Sequence, residues 1–458
     1  MPELALVVGL GRSGAAVARH LRDRGANVVA VDDAPGDDAR ANAARLGIEL
    51  REAPDEEALA RLVAGADVVV PSPGVPEDHP VFGLASAAGV AVRSEVELAF
   101  RWSRRPIVAV TGTNGKTTVT ALVTEMLVAS GRRAVAGGNI GLPLSDAVRR
   151  DVEVVVAEVS SFQLRWTDTF RPSVAVWLNL AEDHLDWHPD LASYVAAKAR
   201  IWANQGRGDV AVANADDPVV MKEAAAVRSR LETFGLEQPA DWRVVDGVLK
   251  GPPGRILPVA ELPRALPHDL SNALAASAAA LAAGASREGV RAALRAFEGL
   301  PHRLTLVAEA GGVRWYDDSK ATNPHAALAA VSGFDSVVLV AGGRNKGLDL
   351  GVLARRADRL RAVVAVGEAA PDVEEAFAGV RPVARAADMD EAVQAAAAVA
   401  RPGDVVLLAP GCASFDSYGS YAERGADFAR AVTRALGQAA GDETGDGTGD
   451  GKEGGSDG

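Results

Sequence analysis

The chain has 458 residues, of which 48% are hydrophobic and 24% charged, and its formal net charge is −13. Because an ordinary domain has about 150 residues, this length predicts roughly three domains. The composition excludes a fibrous or wholly disordered chain, and the negative charge argues against a protein that binds nucleic acid nonspecifically.

The cysteine content and the apolar runs indicate in which cellular compartment the protein is expected. The single cysteine, Cys412, cannot form an internal disulfide, and the start MPELALVVGLGRSG lacks the basic and apolar regions of a signal peptide. No apolar run approaches the roughly 18 residues that a membrane-spanning helix needs. We therefore expect a cytoplasmic protein that does not enter a membrane.

Three apolar runs each lead into a Gly-rich turn and then into helix-forming sequence. They are LALVVGLGRSG, PIVAVTGTNGKTT and SVVLVAGGRNKG, starting near residues 4, 106 and 336. β-type runs alternate with Ala-rich helical patterns around each of them, which is typical of parallel α/β sheets. We predict an α/β fold with a Rossmann-like domain at 1–100, a phosphate-loop domain with a mostly parallel sheet at 101–299, and a second Rossmann-like domain at 300–437.

The remaining residues, 438–458, form a Gly-rich acidic segment. Residues 441–458 hold six acids against one lysine and no hydrophobic residue. Such a segment cannot bury enough apolar surface to offset the entropy lost on ordering, so we expect it to be disordered and assign it no function.

The first Gly-rich turn is GLGRSG, Gly9–Gly14. It follows a predicted strand, and Asp32 ends the next strand about 20 residues later, which formally satisfies the dinucleotide-binding fingerprint. These residues alone favour NAD. The same backbone donors also suit the pyrophosphate of a UDP-sugar, and a turn at Ser72–Gly74 would add further contacts.

The most specific local signal is TGTNGKTT, Thr111–Thr118, between the β-run IVAV and a helical pattern. Its glycines let backbone N–H groups face a phosphate, Lys116 supplies a cation, and the Thr117 hydroxyl can bind Mg²⁺. The strict phosphate-loop pattern has glycine at position 110, where Val110 stands here. The segment nevertheless predicts a site for the phosphates of ATP.

The segment VEVVVAEVSSFQL contains a strand-like run that ends at Glu158, followed by Ser160, Ser161 and Gln163. Open α/β sheets present ligands at the carboxyl ends of their strands, so Glu158 is a candidate Mg²⁺ ligand. Without a phosphate loop in the same domain, an ordinary exposed acid would be the simpler interpretation.

Another β-run leads into NLAEDHLDWHPD. Its polar residues are Asn179, Asp183, His184, Asp186 and His188. The spacing of His184 and His188 suits a zinc shared on one helix face, but Pro189 indicates a loop and Leu185 replaces the glutamate of an HExxH motif. We expect His184 to contact Mg²⁺ or phosphate, and His188 to be an exposed loop residue.

In SYVAAKARIW, Tyr194, Lys198 and Trp202 recur every four residues, which predicts one face of a helix. The plain interpretation of Lys198 is a snorkelling side chain whose stem covers apolar surface. The alternative is a buried neutral amine that adds CO₂ and becomes a carbamate, which binds a metal as a carboxylate does.

The last third holds three polar segments after predicted strands: YDDSKATNPHA, GGRNKG and APGCASFDSYGSYAERG. Cations and hydroxyls at strand ends suit a small anionic substrate such as an amino acid, although surface loops would have a similar composition. No histidine is near Cys412 in sequence, so a small buried residue is a better interpretation than a nucleophile.

In their order and spacing, these segments resemble the Mur ligase family from about Leu4 to Leu436, and within it the members that add D-glutamate. TGTNGKTT alone suggests only the wider family, which includes folylpolyglutamate synthase. The narrower resemblance is carried by AEVSSFQL, GGNIG, NLAEDHLDWH, LPHR, DDSKATN and PGCASFD. It implies ATP-dependent ligation of D-glutamate to UDP-N-acetylmuramoyl-L-alanine through an acyl phosphate, in peptidoglycan precursor synthesis.

The resemblance also implies site residues. Those for the UDP substrate are Ser13, Asp32, Ser72, Gly74, Asn139, Ser160 and Gln163. Those for ATP are Gly112, Thr113, Asn114, Gly115, Lys116, Thr117, Thr118, Asn272, Arg303 and Asp318. Those for Mg²⁺ are Thr117, Glu158, His184 and a carbamylated Lys198, and the catalytic groups are Lys116, Glu158, His184 and Lys198. Those for D-glutamate are Lys320, Thr322, Lys346, Ser414, Phe415 and Tyr421.

Two positions depart from the family pattern. Arg344–Asn345 stands where an acid often precedes the lysine of GGxxK, and Asp33–Ala34 replaces a small polar and a basic residue. The resemblance further implies that His302 and Arg303 lie at a hinge, with the third domain closing over the ATP site. No nucleic acid or membrane is an expected partner, and the oligomeric state stays open, with a monomer as one alternative.

Three rival classes remain: an NAD-dependent oxidoreductase built on GLGRSG, a zinc hydrolase built on His184 and His188, and a non-catalytic nucleotide-binding switch. None of them accounts for all three predicted domains.

Overall fold

The computed structural model of the protein describes residues 2–184 and 187–442, with side chains as far as residue 437. The chain divides into two compact units between Glu298 and Gly299. Asp186 and most of the predicted acidic segment lie outside the described residues. Within the described part, no helix combines the length and apolar character needed to cross a membrane.

The first sheet begins the first unit and has five parallel strands in the order β3-β2-β1-β4-β5. The strands are β1 (Leu4–Val8), β2 (Asn27–Asp32), β3 (Glu49–Glu52), β4 (Val68–Pro71) and β5 (Ala91–Val92). The helices that follow them are α1 (Arg12–Arg22), α2 (Asp37–Leu46), α3 (Glu56–Gly65), α4 (Pro80–Ala88) and α5 (Glu95–Trp102). The apolar strand β4 is buried throughout, as expected for a parallel sheet covered on both faces.

The second sheet has six parallel strands in the order β11-β10-β9-β6-β8-β7. The strands are β6 (Ile107–Thr111), β7 (Ala134–Gly138), β8 (Val154–Glu158), β9 (Val174–Trp177), β10 (Val210–Asn214) and β11 (Arg230–Phe234). Its helices are α6 (Lys116–Ala129), α7 (Leu144–Ala147), α8 (Ser161–Arg165), α9 (Leu191–Ala203), α10 (Pro218–Ala224), α11 (Pro267–Ala282) and α12 (Arg287–Ala296).

A small antiparallel sheet, which the sequence did not predict, completes the first unit. Its strands are β12 (Arg243–Val245), β13 (Val248–Gly251) and β14 (Gly254–Pro258), and a short 3₁₀ turn, Val259–Glu261, follows them. Asp246 and Gly247 both have positive φ in the tight turn between β12 and β13.

The second unit has a six-stranded sheet in the order β15-β16-β20-β17-β18-β19, with only β15 antiparallel to its neighbour. The strands are β15 (Thr305–Ala310), β16 (Val313–Asp317), β17 (Val337–Gly342), β18 (Leu360–Val366), β19 (Val383–Arg385) and β20 (Val405–Gly411). Its helices are α13 (Pro324–Val331), α14 (Ala370–Ala376), α15 (Met389–Val399) and α16 (Tyr421–Asp442). The predicted α/β fold class is confirmed.

The Gly-rich turn after β17 differs from the predicted strand, turn and α-helix. A 3₁₀ segment, Leu350–Arg359, follows it instead, with a kink at Arg356. Asn345 explains the delay, because its side chain accepts a hydrogen bond from Leu348 N and donates one to Leu348 O. These bonds close a local turn before a helix can start.

Helix α5 links the first two sheets. Leu98 packs into the core of the first sheet, whereas Val96 and Ala99 pack into that of the second. The predicted domain boundary near residue 101 therefore follows a shared helix, and it stays a prediction because both sheets lie in one compact unit.

The buried carboxylate of Glu97 on α5 fastens a loop of the second sheet. It accepts hydrogen bonds from the backbone N–H groups of Asp168, Thr169 and Phe170, from the Thr169 hydroxyl, and from Arg101. Burial by itself raises the pKa of Glu97, but these donors more than offset it and hold the pKa below its usual value.

We predict that Glu97→Gln lowers the free energy of unfolding by about 2 kcal/mol at pH 7, because the amide leaves charge-assisted hydrogen bonds unmade. Since the folded pKa is depressed, the contribution of Glu97 is present above the unfolded pKa near 4.5 and is lost as pH falls through the folded value. Urea denaturation at pH 7 and in acid should show a flatter pH profile for the variant.

The control is Glu57→Gln, because Glu57 is exposed and, among the described residues, pairs only with the exposed Arg61. This change should cost less than about 0.5 kcal/mol. Equal losses in the two variants would contradict the role of Glu97.

Candidate active site

The phosphate-loop segment forms the predicted strand, turn and helix. β6 ends at Thr111, and α6 begins at Lys116, with Thr117 and Thr118 in its first turn. Gly115 has φ +84°, and a Cβ added there would lie 2.7 Å from the Asn272 amide oxygen. Only glycine allows this approach, so Asn272 on α11 packs directly against the loop.

Asn179, directly after β9, holds this loop in shape. Its amide oxygen accepts hydrogen bonds from Thr113 N and Asn114 N at 3.0 and 2.8 Å, and its amide nitrogen donates to Asn114 O at 3.1 Å. The sequence placed Asn179 among polar loop residues without giving it this role. Its position at the carboxyl end of a central strand was the available signal.

Two lysines meet at the carbonyl oxygen of Gly112. Lys116 Nζ donates to Gly112 O and Thr113 O, and Lys198 Nζ donates to Gly112 O, all at 2.8 Å. Lys198 lies on α9, as predicted, but is only 1% exposed, so the snorkelling interpretation is wrong. Its Nζ lies 4.6 Å from the centroid of the Tyr194 ring.

The surroundings of Lys198 favour its neutral amine. Burial, and then the nearby charge of Lys116, lower the pKa of Lys198 well below its usual range, and Asp183 and Glu158 only partly oppose this shift. A neutral amine is the form that reacts with CO₂.

Glu158, at the end of β8, is 2% exposed, so it is not an ordinary exposed acid. Its Oε1 accepts a hydrogen bond from Asn139 Nδ2 at 2.9 Å. Its Oε2 is buried and has no hydrogen-bond partner among the described residues. A buried carboxylate oxygen without a donor is costly, and a bound cation would remove that cost, so Glu158 fits a Mg²⁺ ligand.

The residues His184 and His188 lie in a loop. His184 has φ +58°, and its ring packs against Phe162 with 4.8 Å between ring centroids. His188 is buried with Nε2 2.9 Å from Ser161 Oγ, so the prediction of an exposed residue is wrong. Burial lowers the pKa of His188 to about 4, which keeps it neutral at physiological pH.

The described residues contain no group of three His, Cys, Asp or Glu side chains arranged to hold a metal. A divalent cation at Glu158 would therefore depend on other ligand types, such as the Thr117 hydroxyl and phosphate oxygens.

Ser160 and Gln163 form a capping box at the start of α8. Ser160 Oγ accepts a hydrogen bond from Gln163 N, and Gln163 Oε1 accepts one from Ser160 N. The Gln163 amide nitrogen is buried with no hydrogen-bond partner in the described part of the chain. It therefore leaves a donor for a ligand acceptor.

A cavity of about 240 Å³ lies at the carboxyl ends of the first-sheet strands. Its lining residues are Val8, Gly9, Asp32, Asp33, Ala34, Ser72, Gly74, Val75, Pro76 and His79. Asp32 accepts a hydrogen bond from Leu10 N, and Ser72 Oγ donates to Gly9 O, so both support the Gly-rich turn. Ser13 lies in the first turn of α1 and is not part of this lining.

In the second unit, Arg424 joins the segments after β16 and β20. Its buried guanidinium donates to the carbonyl oxygens of Ser319, Cys412 and Ala413. Arg344 adds the segment after β17 through two backbone hydrogen bonds with Ala413. Nothing in the sequence distinguishes Arg424 from any other charged residue of a helix.

Five of the predicted D-glutamate residues lie in these segments, and the sixth, Tyr421, begins α16. Lys320 Nζ lies 5.3 Å from the Tyr421 ring centroid, Thr322 N donates to Lys320 O, Ser414 is buried and Phe415 is exposed. The charge of Lys346 acts on Cys412, whose thiol pKa is raised to about 12, mainly by burial. Cys412 is thus the buried, unreactive residue that was predicted.

The second unit also contains the predicted hinge and ATP residues His302, Arg303 and Asp318. Asp318 is buried at the end of β16, and His302, close to Arg303, has φ +59° with Nδ1 2.6 Å from Asp317 Oδ2. The predicted contribution of Arg303 and Asp318 to the ATP site stays a prediction.

The two departures from the family pattern have local partners. Arg344 forms a two-point ion pair with Glu368 at 2.9 and 3.0 Å. Asp33 Oδ2 lies 2.9 Å from His79 Nε2 at the rim of the cavity. Each of these two departures therefore has a polar partner close by in its own sheet domain.

Comparisons with known proteins agree with this arrangement. Three family models match the chain: "Mur ligase MurD-like, N-terminal domain" at residues 3–94, "Mur ligase middle domain" at 110–280 and "Mur ligase, glutamate ligase domain" at 302–412. A Frankia casuarinae protein named UDP-N-acetylmuramoylalanine–D-glutamate ligase is 48% identical over 446 residues, with 93% of each chain covered. The chain belongs to the Mur ligase family.

A second Mur ligase of the same name, from Desulfosudis oleivorans, is 45% identical over 446 residues, covering 94% of this chain and 96% of its own. Among solved structures, a pseudomurein peptide ligase type C from Methanothermus fervidus has a TM-score of 0.61 at 18% identity, covering 95% of this chain and 100% of its own. At that identity the similarity shows the Mur ligase fold alone.

We predict that Gly115→Ala weakens binding of a nucleoside triphosphate at least about 10-fold, a loss of roughly 1.4 kcal/mol. The added methyl would lie 2.7 Å from Asn272 Oδ1 at a residue with φ +84°. Calorimetric titration with the non-hydrolysable analogue AMPPNP and Mg²⁺ measures this affinity.

The matched control is Gly131→Ala, because Gly131 has φ +77° but nothing within 4 Å of an added Cβ. Both variants should lose about 1 kcal/mol of stability through backbone strain. Only Gly115→Ala should lose nucleotide affinity; equal affinities would refute the predicted clash.

Proposed function

We propose that this Mur ligase adds D-glutamate to UDP-N-acetylmuramoyl-L-alanine and converts ATP to ADP and phosphate, as a cytoplasmic step of peptidoglycan precursor synthesis. The observation that carries the proposal is the similarity, over more than nine-tenths of the chain, to relatives that bear this enzyme's name. The site geometry supports the chemistry independently.

The loop after β6 is suited to the phosphates of ATP. Helix α6 begins directly after Gly115 with no side-chain cap, so its N-terminus suits a phosphate, and Lys116 donates to two carbonyl oxygens of the loop. On ATP binding, its ammonium would turn from these carbonyls to the phosphates and offset the charge of the transferring group. Asn272, against Gly115, would lie near the adenine, and Arg303 and Asp318 would complete the site.

The reaction then takes place in two nucleophilic substitution steps. The alanyl carboxylate attacks the γ-phosphorus, which forms an acyl phosphate and releases ADP. The neutral amine of D-glutamate attacks the acyl carbon, phosphate leaves, and the nitrogen loses a proton as the amide bond forms. Water must be excluded because it would hydrolyse the acyl phosphate.

Mg²⁺ would fit beside these groups, because one buried oxygen of Glu158 has no hydrogen-bond partner in the described part of the chain. Thr117, Glu158, His184 and the carbamate form of Lys198 would hold it. Bound Mg²⁺ would supply charge neutralisation at the transferring phosphoryl group.

The cavity beside Asp32, Ser72 and Gly74 would take the UDP moiety, with Ser13 near its Gly-rich turn. Asn139, Ser160 and Gln163 would contact the muramoyl part, since the Gln163 amide nitrogen has no hydrogen-bond partner among the described residues. In the second unit, the cations Lys320 and Lys346 would bind the carboxylates of D-glutamate. Thr322, Ser414, Phe415 and Tyr421 would complete that pocket.

We predict that phosphate is released only when ATP, Mg²⁺, UDP-N-acetylmuramoyl-L-alanine and D-glutamate are all present, because the acyl phosphate turns over through the glutamate amine. A coupled phosphate assay with each component omitted in turn measures this dependence. Equal ATP turnover without D-glutamate would refute the ligase.

The same preparation should not bind NADH, which a fluorescence titration can measure. Tight NADH binding would instead favour the oxidoreductase interpretation of the first Gly-rich turn.

We predict that Lys198 carries a carbamate in the active enzyme, because its buried amine has a lowered pKa. Mass spectrometry of gently handled protein should show the added mass of one CO₂, and bicarbonate depletion should lower activity reversibly. Lys198→Ala should lose activity at least about 100-fold, the scale of losing one electrostatic group in a closed site.

The control is Lys250→Ala, because Lys250 is more exposed and pairs only with Asp246 among the described residues. It should keep full activity and its bicarbonate response. An unimpaired Lys198→Ala enzyme would exclude the carbamate.

A further inference from the structure

The loop that carries His184 is fastened to the first-sheet domain by side chains that the proposed chemistry does not use. Trp187 Nε1 donates a hydrogen bond to Val75 O at 2.8 Å. His188 Nδ1 lies 3.4 Å from Glu77 Oε2. Val75 belongs to the lining of the 240 Å³ cavity, and Glu77 follows two residues later. The cavity wall and the loop thus meet through one hydrogen bond and one close approach.

The same two loop residues hold the backbone of His184. Trp187 N and His188 N both donate to His184 O, at 3.1 and 2.9 Å. His184 has φ +58°, a left-handed conformation that costs energy for a residue with a side chain and persists only where its surroundings hold it. The anchors at residues 187 and 188 therefore maintain the turn at His184.

His184 is connected in turn to the phosphate loop. Its ring centroid lies 6.3 Å from that of Tyr194, and the Tyr194 hydroxyl lies 3.1 Å from Thr113 Oγ1. A shift of the 187–188 anchors would therefore be transmitted to the loop that faces the nucleotide phosphates.

Helix α8 also packs against Glu77, Trp187 and His188, which together we call the joint. Arg165 Nε lies 2.6 Å from Glu77 Oε1, Phe162 stacks on Trp187 with 4.4 Å between ring centroids, and Ser161 Oγ lies 2.9 Å from His188 Nε2. The cavity wall, the His184 loop and the helix that presents Gln163 thus meet at Glu77, Trp187 and His188.

Ser161, His188 and Glu77 are also the residue types of a nucleophilic triad. However, Ser161 and His188 are 2% and 1% exposed, so a substrate cannot reach the hydroxyl. In addition, His188 Nδ1 and Glu77 Oε2 are both buried without a hydrogen bond in the described structure, although they are only 3.4 Å apart. A small shift would close this gap and satisfy both atoms.

We propose that Glu77, Trp187 and His188 are positioning residues that couple occupancy of the cavity beside Asp32 and Ser72 to the position of His184. A ligand pressed against Val75 would move the segment 75–77, close the Glu77–His188 contact and set the His184 turn for nucleotide and Mg²⁺. This inference rests on the proposed function, which supplies the UDP substrate as the cavity ligand.

The test measures a coupling factor on the full chain. The dissociation constant of AMPPNP with Mg²⁺ is determined with and without saturating UDP-N-acetylmuramoyl-L-alanine, and the ratio is the factor. For the unaltered protein we expect tightening of about 5-fold to 150-fold, the usual range for coupled sites. Trp187→Phe keeps the stacked ring and removes only the donor to Val75 O, so it should bring the factor towards one while each ligand alone still binds. Glu77→Gln should have the same effect.

The matched control is Trp242→Phe. The Trp242 indole donates to Glu232 at 2.8 Å, so the change removes one buried indole hydrogen bond away from the joint. Its coupling factor should equal that of the unaltered protein.

Three results would overturn the inference: no coupling in the unaltered protein, unchanged coupling in both Trp187→Phe and Glu77→Gln, or an equal loss in Trp242→Phe. Absence of ligase turnover by the unaltered protein would instead refute the proposed function, so the two failures are distinct.

Discussion

The carbonyl oxygen of Gly112 accepts hydrogen bonds from two lysines, one on α6 and one on α9. Burial and the nearby charge of Lys116 lower the pKa of Lys198 and favour its neutral amine, so the positive charge at this oxygen belongs to Lys116. A phosphate would balance the charge of Lys116, and the proposed carbamate would turn Lys198 into an anion. One buried oxygen of Glu158 has no hydrogen-bond partner among the described residues, which favours a cation nearby. The proposed chemistry of the site depends on both features.

The elements that surround this oxygen could largely be predicted from the sequence. An apolar run, a Gly-rich turn and a helical pattern follow one another around Gly112 and Gly115, which indicates a strand, a turn and a helix. In α9, Tyr194, Lys198 and Trp202 recur at helical spacing. The local sequence pattern was therefore enough to predict the structure of the single strand-to-helix turn at this site. The family and the substrate came from motif order rather than from any single motif.

Other features could not be predicted, because they depend on contacts between distant segments. His188 looked exposed beside Pro189, but Ser161 and Glu77, far away in sequence, bury it. Asn345 binds Leu348 and delays the helix expected after β17. The strands β12 to β14 are too short for periodicity to separate them from loops. Arg424 shows the same limit, since nothing in YAERG indicates that its side chain points inward.

The hydrogen bonds of Arg424 have a consequence for how the proposed D-glutamate pocket can change over evolution. Three of its acceptors are main-chain carbonyl oxygens, of Ser319, Cys412 and Ala413, which every amino acid possesses. The planar guanidinium can serve them together, whereas a lysine ammonium lacks this fixed fork of donors. Neighbouring side chains such as Phe415 can therefore be substituted while the frame, meaning the backbone held by Arg424, keeps its hydrogen bonds. An ancestral pocket of this design could acquire a new amino-acid preference by point mutation while the frame itself stayed constant.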